Sequence, residues 1–361
     1  MSTVLVTGAF GNVGRHTVRA LLDDGWHVVA SDLKTPVAET ARVAFGDDDR
    51  LTVVWADLTE RDAVRELVAD TRPDAVVHLA AVIPPMAYRR PAVAAAVNVE
   101  ATRHLVEAVE ELTGPCRLVH TSSIAVHGSR NPHTMEPLTA ETPVRPCETY
   151  GFGKAAAEEI VTTSGTDWTI LRLGAVIFPD MELGTDQDTL FLESMLPADA
   201  RVHSVDVRDV ARALANATTA PCSQEVLLIA GDHTHRMTQG AMSRSLTAAL
   251  GLRGVLPKGV PGNPDDDHAW FVVDWMDTTR AQEVLDFQSH TWQRTLREIA
   301  EHVGVLRHFM PLAVVPGRIY FTLSSPRSPL RWGARSKYAE LWPSVVARWG
   351  PEAVAPLPER L

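Results

Sequence analysis

Short runs of Val, Ile and Leu without polar alternation recur along the first 170 residues, at Thr3–Thr7, His27–Ser31, Leu51–Trp55, Ala75–Leu79, Arg117–Thr121 and Trp168–Leu171. Such runs suit strands buried on both faces, as in a parallel sheet covered by helices. Between them, apolar positions recur at helical spacing in Val13–Asp24, Arg61–Ala69, Pro91–Glu111 and Tyr150–Ser164. Gly25 suits the position just past a helix end, and Pro91 suits the first turn of its helix. Strand and helix in repeated order imply right-handed crossovers and a doubly wound α/β sheet. Past residue 175 the alternation loosens and Pro and Gly rise, notably over 256–264, which predicts a loop-rich substrate lobe. A helical pattern returns over Thr278–Val303, and the remainder breaks into Pro-punctuated pieces. There is no internal repeat and no low-complexity tract.

Composition narrows the class. With 361 residues, 45% hydrophobic and 22% charged, the chain has ordinary globular values. These argue against disorder, a collagen-like fibre or a polytopic membrane protein. Net charge is −11 but uneven: from Gly304 onward 8 Arg/Lys face 3 Glu, or +5, and the preceding residues carry −16. An acidic body exerts no long-range pull on nucleic acid, so none is expected as a partner. Cys116, Cys147 and Cys222 lie far apart without metal-ligand spacing, which fits reduced cytosol rather than a disulfide framework or a zinc site. Met1 runs straight into an apolar strand pattern with no charged leader, and no apolar run reaches the roughly 18 residues of a membrane span. A cytoplasmic protein is the expectation.

The first strand leads into Thr7-Gly-Ala-Phe-Gly-Asn-Val-Gly14, with glycines at 8, 11 and 14 where strand gives way to helix. Glycine permits the tight turn, close approach of a pyrophosphate and close helix packing, and the helix N-terminus then faces the phosphates. This predicts a Rossmann-type dinucleotide site. Asp32 ends the second strand, where a carboxylate accepts from ribose hydroxyls and repels a 2′-phosphate, so NAD is favoured over NADP. Lys34 nearby keeps NADP open. Asp57-Leu58 either flanks the adenine or begins a helix.

Tyr150 and Lys154 stand at i and i+4, one turn apart on one helix face. A neighbouring ammonium is expected to lower the phenol's pKa and let Tyr150 exchange a proton with a substrate hydroxyl. Ser122 and Ser123 end an upstream strand, at the sheet edge where active residues of parallel sheets gather. Taken with TGAFGNVG, Asp32, Asp57-Leu58, HLAA at His78–Ala81, Asn98, HTSSIAVHG at His120–Gly128, LRLGAVIFP at Leu171–Pro179 and VDVRDVA at Val205–Ala211, these residues resemble the extended short-chain dehydrogenase/reductase superfamily, over roughly residues 3 to 303.

The resemblance implies a Rossmann-type domain over 1–174, with later segments such as 202–230 returning to it. A substrate lobe over 175–303 and an extension over 304–361 would follow. It implies that Tyr150 is the acid/base, that Lys154 grips the nicotinamide ribose and tunes Tyr150, and that Ser123 binds the reacting oxygen. Gly8, Phe10, Gly11, Asn12, Val13, Gly14, Asp32, Asp57, Leu58, Leu79, Ala80, Ala81, Asn98 and Val176 would line the cofactor with Tyr150 and Lys154, and Val82 and Ser123 would meet substrate. The activity implied is hydride transfer between NAD and a secondary alcohol or ketone, with an epimerase holding NAD tightly as the alternative and a non-enzymatic nucleotide sensor as a third reading. A homodimer is expected, as the superfamily often pairs through cofactor-domain helices.

Departures narrow the reaction. Dehydratases of the superfamily carry an acidic pair where this chain has Ile124 and Ala125, which cannot move protons. Nucleotide-sugar epimerases usually place an asparagine where this chain has Ala175. Val82-Ile-Pro-Pro-Met-Ala-Tyr88 is apolar, which suits either an apolar substrate or a loop packed on the core. Asp209 is expected to cap a helix. His233-Thr-His235 and Asp265-Asp-Asp-His268 lack ligand spacing on a common face, so no metal is expected. Residues 304–361 interleave Phe309, Tyr320, Phe321, Trp332, Tyr338, Trp342 and Trp349 with Arg318, Arg327, Arg331, Arg335 and Arg348. Three roles compete: an arm packed on the body or on a second subunit, a lid over the substrate cleft, and an interfacial membrane anchor. Basic tail against acidic body favours packing.

Overall fold

The computed structural model describes residues 2–180, 187–256, 259–324 and 336–356. Its strands are β1 (Thr3–Thr7), β2 (His27–Asp32), β3 (Leu51–Trp55), β4 (Ala75–His78), β5 (Arg117–Ser123), β6 (Asp167–Leu173), β7 (Ala175–Ile177), β8 (Arg201–Asp206), β9 (Glu225–Ile229) and β10 (Arg236–Thr238). Seven of these form one parallel sheet in the order β3-β2-β1-β4-β5-β6-β9. The winding reverses between β1 and β4, which opens a crevice beyond their C-terminal ends. β7, β8 and β10 form a small second sheet in the order β10-β8-β7.

The helices are α1 (Gly14–Asp23), α2 (Pro36–Val43), α3 (Arg61–Thr71), α4 (Met86–Arg89), α5 (Pro91–Ala95), α6 (Ala101–Glu110), α7 (Thr149–Thr162), α8 (Gln187–Met195), α9 (Val207–Ala217), α10 (Gln239–Ala249), α11 (Thr279–Leu285), α12 (Trp292–Val303), α13 (Pro311–Ser324) and α14 (Leu341–Trp349). Period-two geometry sorts β1 between two cores. Val4 and Val6 join a cluster with Val18 and Leu21 of α1, Val210 and Leu214 of α9, and Leu285 of α11, whereas Leu5 joins Leu67 of α3 and Leu105 of α6 on the opposite face. Both faces of the sheet are therefore dry, and the continuous apolar runs of the sequence have their physical reason.

Several sequence expectations change in the fold. Pro91–Glu111 is interrupted by a π turn at Ala96–Glu100. Thr278–Val303 divides into α11 and α12, because Asp286 takes φ 42° and the following loop is fastened to Asp209. Helix α2, capped by Thr35 accepting from the Ala38 N–H, was absent from the expected helices. The region after 175 holds regular elements from β7 to α10 rather than mostly loop. Of 202–230, α9 and β9 join the large-sheet body, but residues 202–206 lie in β8 of the small sheet, paired to β7 and β10.

Candidate active site

Backbone proximity at the β1–α1 turn dictates glycine. Gly8 has φ +65°, and a Cβ there would lie 2.7 Å from the Ala80 nitrogen, while one at Gly14 would run into the Gly8 carbonyl. The Gly11 N–H donates to that carbonyl at 3.1 Å. Helix α1 opens after Val13, which provides no side-chain cap; the Arg15 N–H is taken by the Gly11 carbonyl at 3.1 Å, and no side chain competes with an anion for the helix start. At the end of β2, Asp32 accepts from the Phe10 N–H at 2.9 Å and the Leu33 N–H at 2.8 Å, and burial raises its pKa. Phe10 is itself buried, its ring packed against Trp55 and Phe45. A cradle closed to side chains, an uncapped helix start and a fixed carboxylate fit a dinucleotide.

Leu79, Ala80 and Ala81 follow β4, and Ala80 lies against Gly8. Asn98 stands in the π turn, where its Oδ1 accepts from the Val82 N–H at 2.7 Å and its Nδ2 donates to the Val82 carbonyl at 2.9 Å. It thus clamps the loop that leaves β4. π turns concentrate at functional sites because they re-aim such a side chain. Gly11, Asn12 and Asp57 are exposed along the same edge, with Asp57 accepting from the Thr59 N–H and hydroxyl, while Leu58 is buried in the α3–α6 core. Val176 of β7 packs against the core on the α1 side.

Ser123 ends β5, and Tyr150 and Lys154 lie on the first turns of α7. The Lys154 ammonium donates to the Thr121 carbonyl at 2.8 Å, on the strand that carries Ser123. Ser123 accepts from the Ala125 N–H at 3.2 Å, and its hydroxyl faces the half-buried Tyr150 phenol closely enough to draw its pKa down. The expected lowering of the phenol's pKa is not what the fold produces. Burial pushes Tyr150 up, the Ser123 hydrogen bond opposes this, and the charge of Glu148 adds to the rise. Lys154 is pulled down to about 8 by burial, against the opposing charge of Glu158. The ammonium donates to the Thr121 carbonyl, and burial sets the direction for the phenol.

Two buried acids that sequence reasoning missed hold α7. Glu148 caps it, accepting from the Tyr150 N–H at 2.8 Å and the Gly151 N–H at 2.6 Å, and burial raises its pKa to about 7. Glu158, one turn past Lys154, accepts from Arg172 Nη2 at 2.6 Å, Arg172 Nε at 2.9 Å and Ser122 Oγ at 2.5 Å. Helical spacing offered a signal for Glu158, since Lys154 and Glu158 are i and i+4. Nothing local pointed to Arg172 on β6.

The cap of α9 is Asp206, accepting from the Arg208 N–H at 3.0 Å, rather than Asp209. Asp209 is fully buried and instead accepts from Ser289 and from His290 Nδ1 at 2.6 Å. His235 uses both ring nitrogens, on Ser204 and on the His290 carbonyl. Among the described residues no cluster of three or more His, Cys, Asp or Glu could hold a metal ion.

Part of the tail closes the side next to α7. Leu341, Val345 and Ala353 pack with Tyr88, Leu192 and Met195, and the Thr149 hydroxyl donates to the Glu352 carbonyl. Arg348 pairs with Asp188 and lies over the Phe191 ring at 4.4 Å. Arg327, Arg331, Trp332 and Arg335 lie outside the described residues.

The sequence model of the NAD dependent epimerase/dehydratase family matches residues 4–230. UDP-glucose 4-epimerase 4 of Oryza sativa subsp. japonica is 37% identical over 180 residues, covering 47% of this chain and 48% of that protein. D-erythronate dehydrogenase of Cupriavidus necator is 32% identical over 183 residues, covering 48% of this chain and 55% of that protein. The matches thus span about half the length of these curated relatives. In three dimensions, the UDP-glucose 4-epimerase of Thermus thermophilus, solved in complex with NAD, superposes with a TM-score of 0.67 at 21% identity, over 84% of this chain and 99% of that one.

Proposed function

The chain belongs to the NAD dependent epimerase/dehydratase family, and from that membership we propose an NAD-dependent oxidoreductase acting on a secondary alcohol or its ketone. The observation that supports it best is the convergence of Ser123, Tyr150 and Lys154 beyond the C-terminal end of β5, in a fold whose glycine turn fits a dinucleotide. Bound NAD would supply hydride acceptance and donation at its nicotinamide ring.

In this reading the chain's residues supply placement and proton transfer. The cofactor is held by the Gly8–Gly14 turn and the α1 N-terminus, with Asp32 receiving the adenosine ribose hydroxyls. Asp57 and Leu58 flank the adenine, and Leu79, Ala80, Ala81 and Val176 line the remaining path. Asn98 acts by fixing Val82 at the substrate side. Ser123 donates to the substrate oxygen, and the Tyr150 hydroxyl exchanges a proton with that same oxygen. Lys154, anchored to Thr121, stands ready for the nicotinamide ribose; its cationic form stabilises the phenolate that appears when Tyr150 gives up its proton. Three separate free thiols fit a reducing compartment such as the cytoplasm, and pairing of two subunits through cofactor-domain helices completes the reading.

The second reading is an epimerase, favoured by the 37% identity to a UDP-glucose 4-epimerase. The deciding experiment purifies the protein without added nucleotide, denatures it and identifies any released dinucleotide by mass spectrometry. An empty site that binds NAD reversibly supports the oxidoreductase and calls for a screen of alcohols and ketones. Near-stoichiometric NAD that survives dialysis supports the epimerase. Failure of the empty protein to bind NAD at all overturns both.

A further inference from the structure

The region from Val305 to Ile319 concentrates apolar surface on the outside of the molecule. Of the thirteen large hydrophobic residues that are exposed among the described residues, six fall here: Val305, Leu306, Phe309, Leu312, Val315 and Ile319. Leu312 is 80% exposed and Val315 67%. Pro311, Ala313 and Pro316 are exposed as well, so α13 shows apolar side chains around most of its circumference. A helix apolar on nearly all sides is normally covered, by a protein core or by lipid. The body meets α13 on the side of Gly317, where an added Cβ would lie 2.7 Å from Val255, and leaves the face of Leu312, Val315 and Ile319 uncovered; α14, farther along the chain, packs into the body.

Charge identifies the cover. No Asp or Glu occurs between Glu301 and Glu340, a stretch that carries six Arg and Lys in a chain of net charge −11. Apolar side chains set among cations complement an anionic lipid surface, which offers hydrocarbon beneath negative headgroups. A second copy of the acidic body could match the charge but not the apolar area. A second copy meeting this face with its own would set cations against cations. Helix length sets the mode of contact. The 14 residues of α13 reach about 21 Å at 1.5 Å each, short of the roughly 30 Å hydrocarbon core. Among the described residues no helix is long and apolar enough to cross a membrane.

We infer that Val305–Ile319 is an interfacial docking segment for anionic phospholipid, with Phe309, Leu312, Val315 and Ile319 inserted among the acyl chains and Arg307 at headgroup level. The body, attached through α12, would then sit at the membrane surface with its cofactor turn still in water.

The test is co-sedimentation of the full chain with vesicles of phosphatidylcholine alone and of phosphatidylcholine containing about one-quarter phosphatidylglycerol, at low and high salt. Binding should require the anionic lipid and weaken with salt. Leu312→Ser with Val315→Ser should lower the bound fraction about tenfold or more, the size expected for losing two buried apolar side chains. Both side chains are exposed, so the melting temperature should be unchanged. Arg307→Glu should weaken binding to the anionic vesicles and leave the apolar contribution in place. Equal soluble fractions with both vesicle types overturn the inference. So does binding that survives the double substitution. Self-association abolished by the double substitution, with no vesicle binding, assigns the face to a second copy instead.

Discussion

The Glu148 carboxylate accepts the backbone N–H of Tyr150 at 2.8 Å, so the helix carrying the phenol starts on a fully buried acid. Burial raises that acid from its ordinary 4.5 to about 7. A raised folded-state pKa means that the native protein holds a proton the unfolded chain has already released. This contribution to stability is complete below pH 4.5 and lost as pH rises through 7. Buried histidines, His127 and His203 drawn down to about 4 and His78 to about 3, act in the opposite sense across the same window, so the Glu148 contribution is read as the difference between parent and variant. Relative to the parent, Glu148→Gln should lose about 1 kcal/mol in urea unfolding for the weakened cap, and its deficit should shrink as pH rises from 4.5 through 7, where the parent loses the Glu148 contribution. A deficit that stays constant with pH would show that Glu148 is not the titrating group.

Replacing the phenol isolates proton transfer. Tyr150→Phe keeps the ring and removes the hydroxyl that faces Ser123. Turnover should drop by about 10²–10⁴-fold, the usual worth of a positioned acid/base, while NAD affinity by calorimetry stays within about twofold. Equal turnover would refute the assigned role of Tyr150.

Backbone geometry makes a sharper demand at Gly8. Its φ of +65° and the 2.7 Å approach of a Cβ to the Ala80 nitrogen leave no room for alanine. Gly8→Ala should lose NAD binding and cost at least about 1–3 kcal/mol of stability, read by calorimetry and urea unfolding. Asp32→Ala should instead keep the fold and narrow the preference for NAD over NADP, since the carboxylate that would repel a 2′-phosphate is gone. Parent-like NADP rejection in that variant would mean that another group sets the preference.

Glu158 links stability to the charge state of Lys154. Arg172→Met leaves a buried carboxylate without its bidentate partner and should cost about 3–5 kcal/mol in urea unfolding. Glu158→Gln removes the charge that supports the Lys154 ammonium, whose pKa burial already draws from 10.5 to about 8. In that variant the lysine should lose its proton at lower pH, and an alkaline limb governed by it should move to lower pH. The lowered lysine also works in the opposite sense to Glu148 for stability. Between pH 8 and 10.5 the unfolded chain binds the extra proton, so Lys154 contributes stability that rises with pH across that interval. A pH–rate profile and an alkaline unfolding series read the two effects separately.

Periodicity and glycine spacing carried much of the fold and the cofactor turn. Val4, Leu5 and Val6 are apolar in succession because both faces of β1 are covered, and that pattern is local. Gly8, Gly11 and Gly14 were legible for the same reason: steric limits on a strand–helix turn are written in neighbouring residues. Tyr150 and Lys154 could be paired by helical spacing, and Ser123 by its place at a strand end. Asp209 was misread because two acids, Asp206 and Asp209, flank the start of α9, and choosing the cap requires the backbone angle at Asp206.

What tertiary structure alone decided concerns partners distant in sequence and the dielectric around them. Arg172 reaches Glu158 only because β6 lies beside β5 beneath α7. The phenol's pKa was expected to fall because an ammonium stood one turn away, yet it rises because the fold takes the phenol out of water. Composition located a basic, aromatic tail, but only packing divided it into α14, seated against Tyr88 and α8, and α13, left with Leu312, Val315 and Ile319 outward. Sequence determines local conformation through sterics and periodicity. Burial, ionisation and the assignment of one surface to the core and another to an outside partner depend on which distant segments meet.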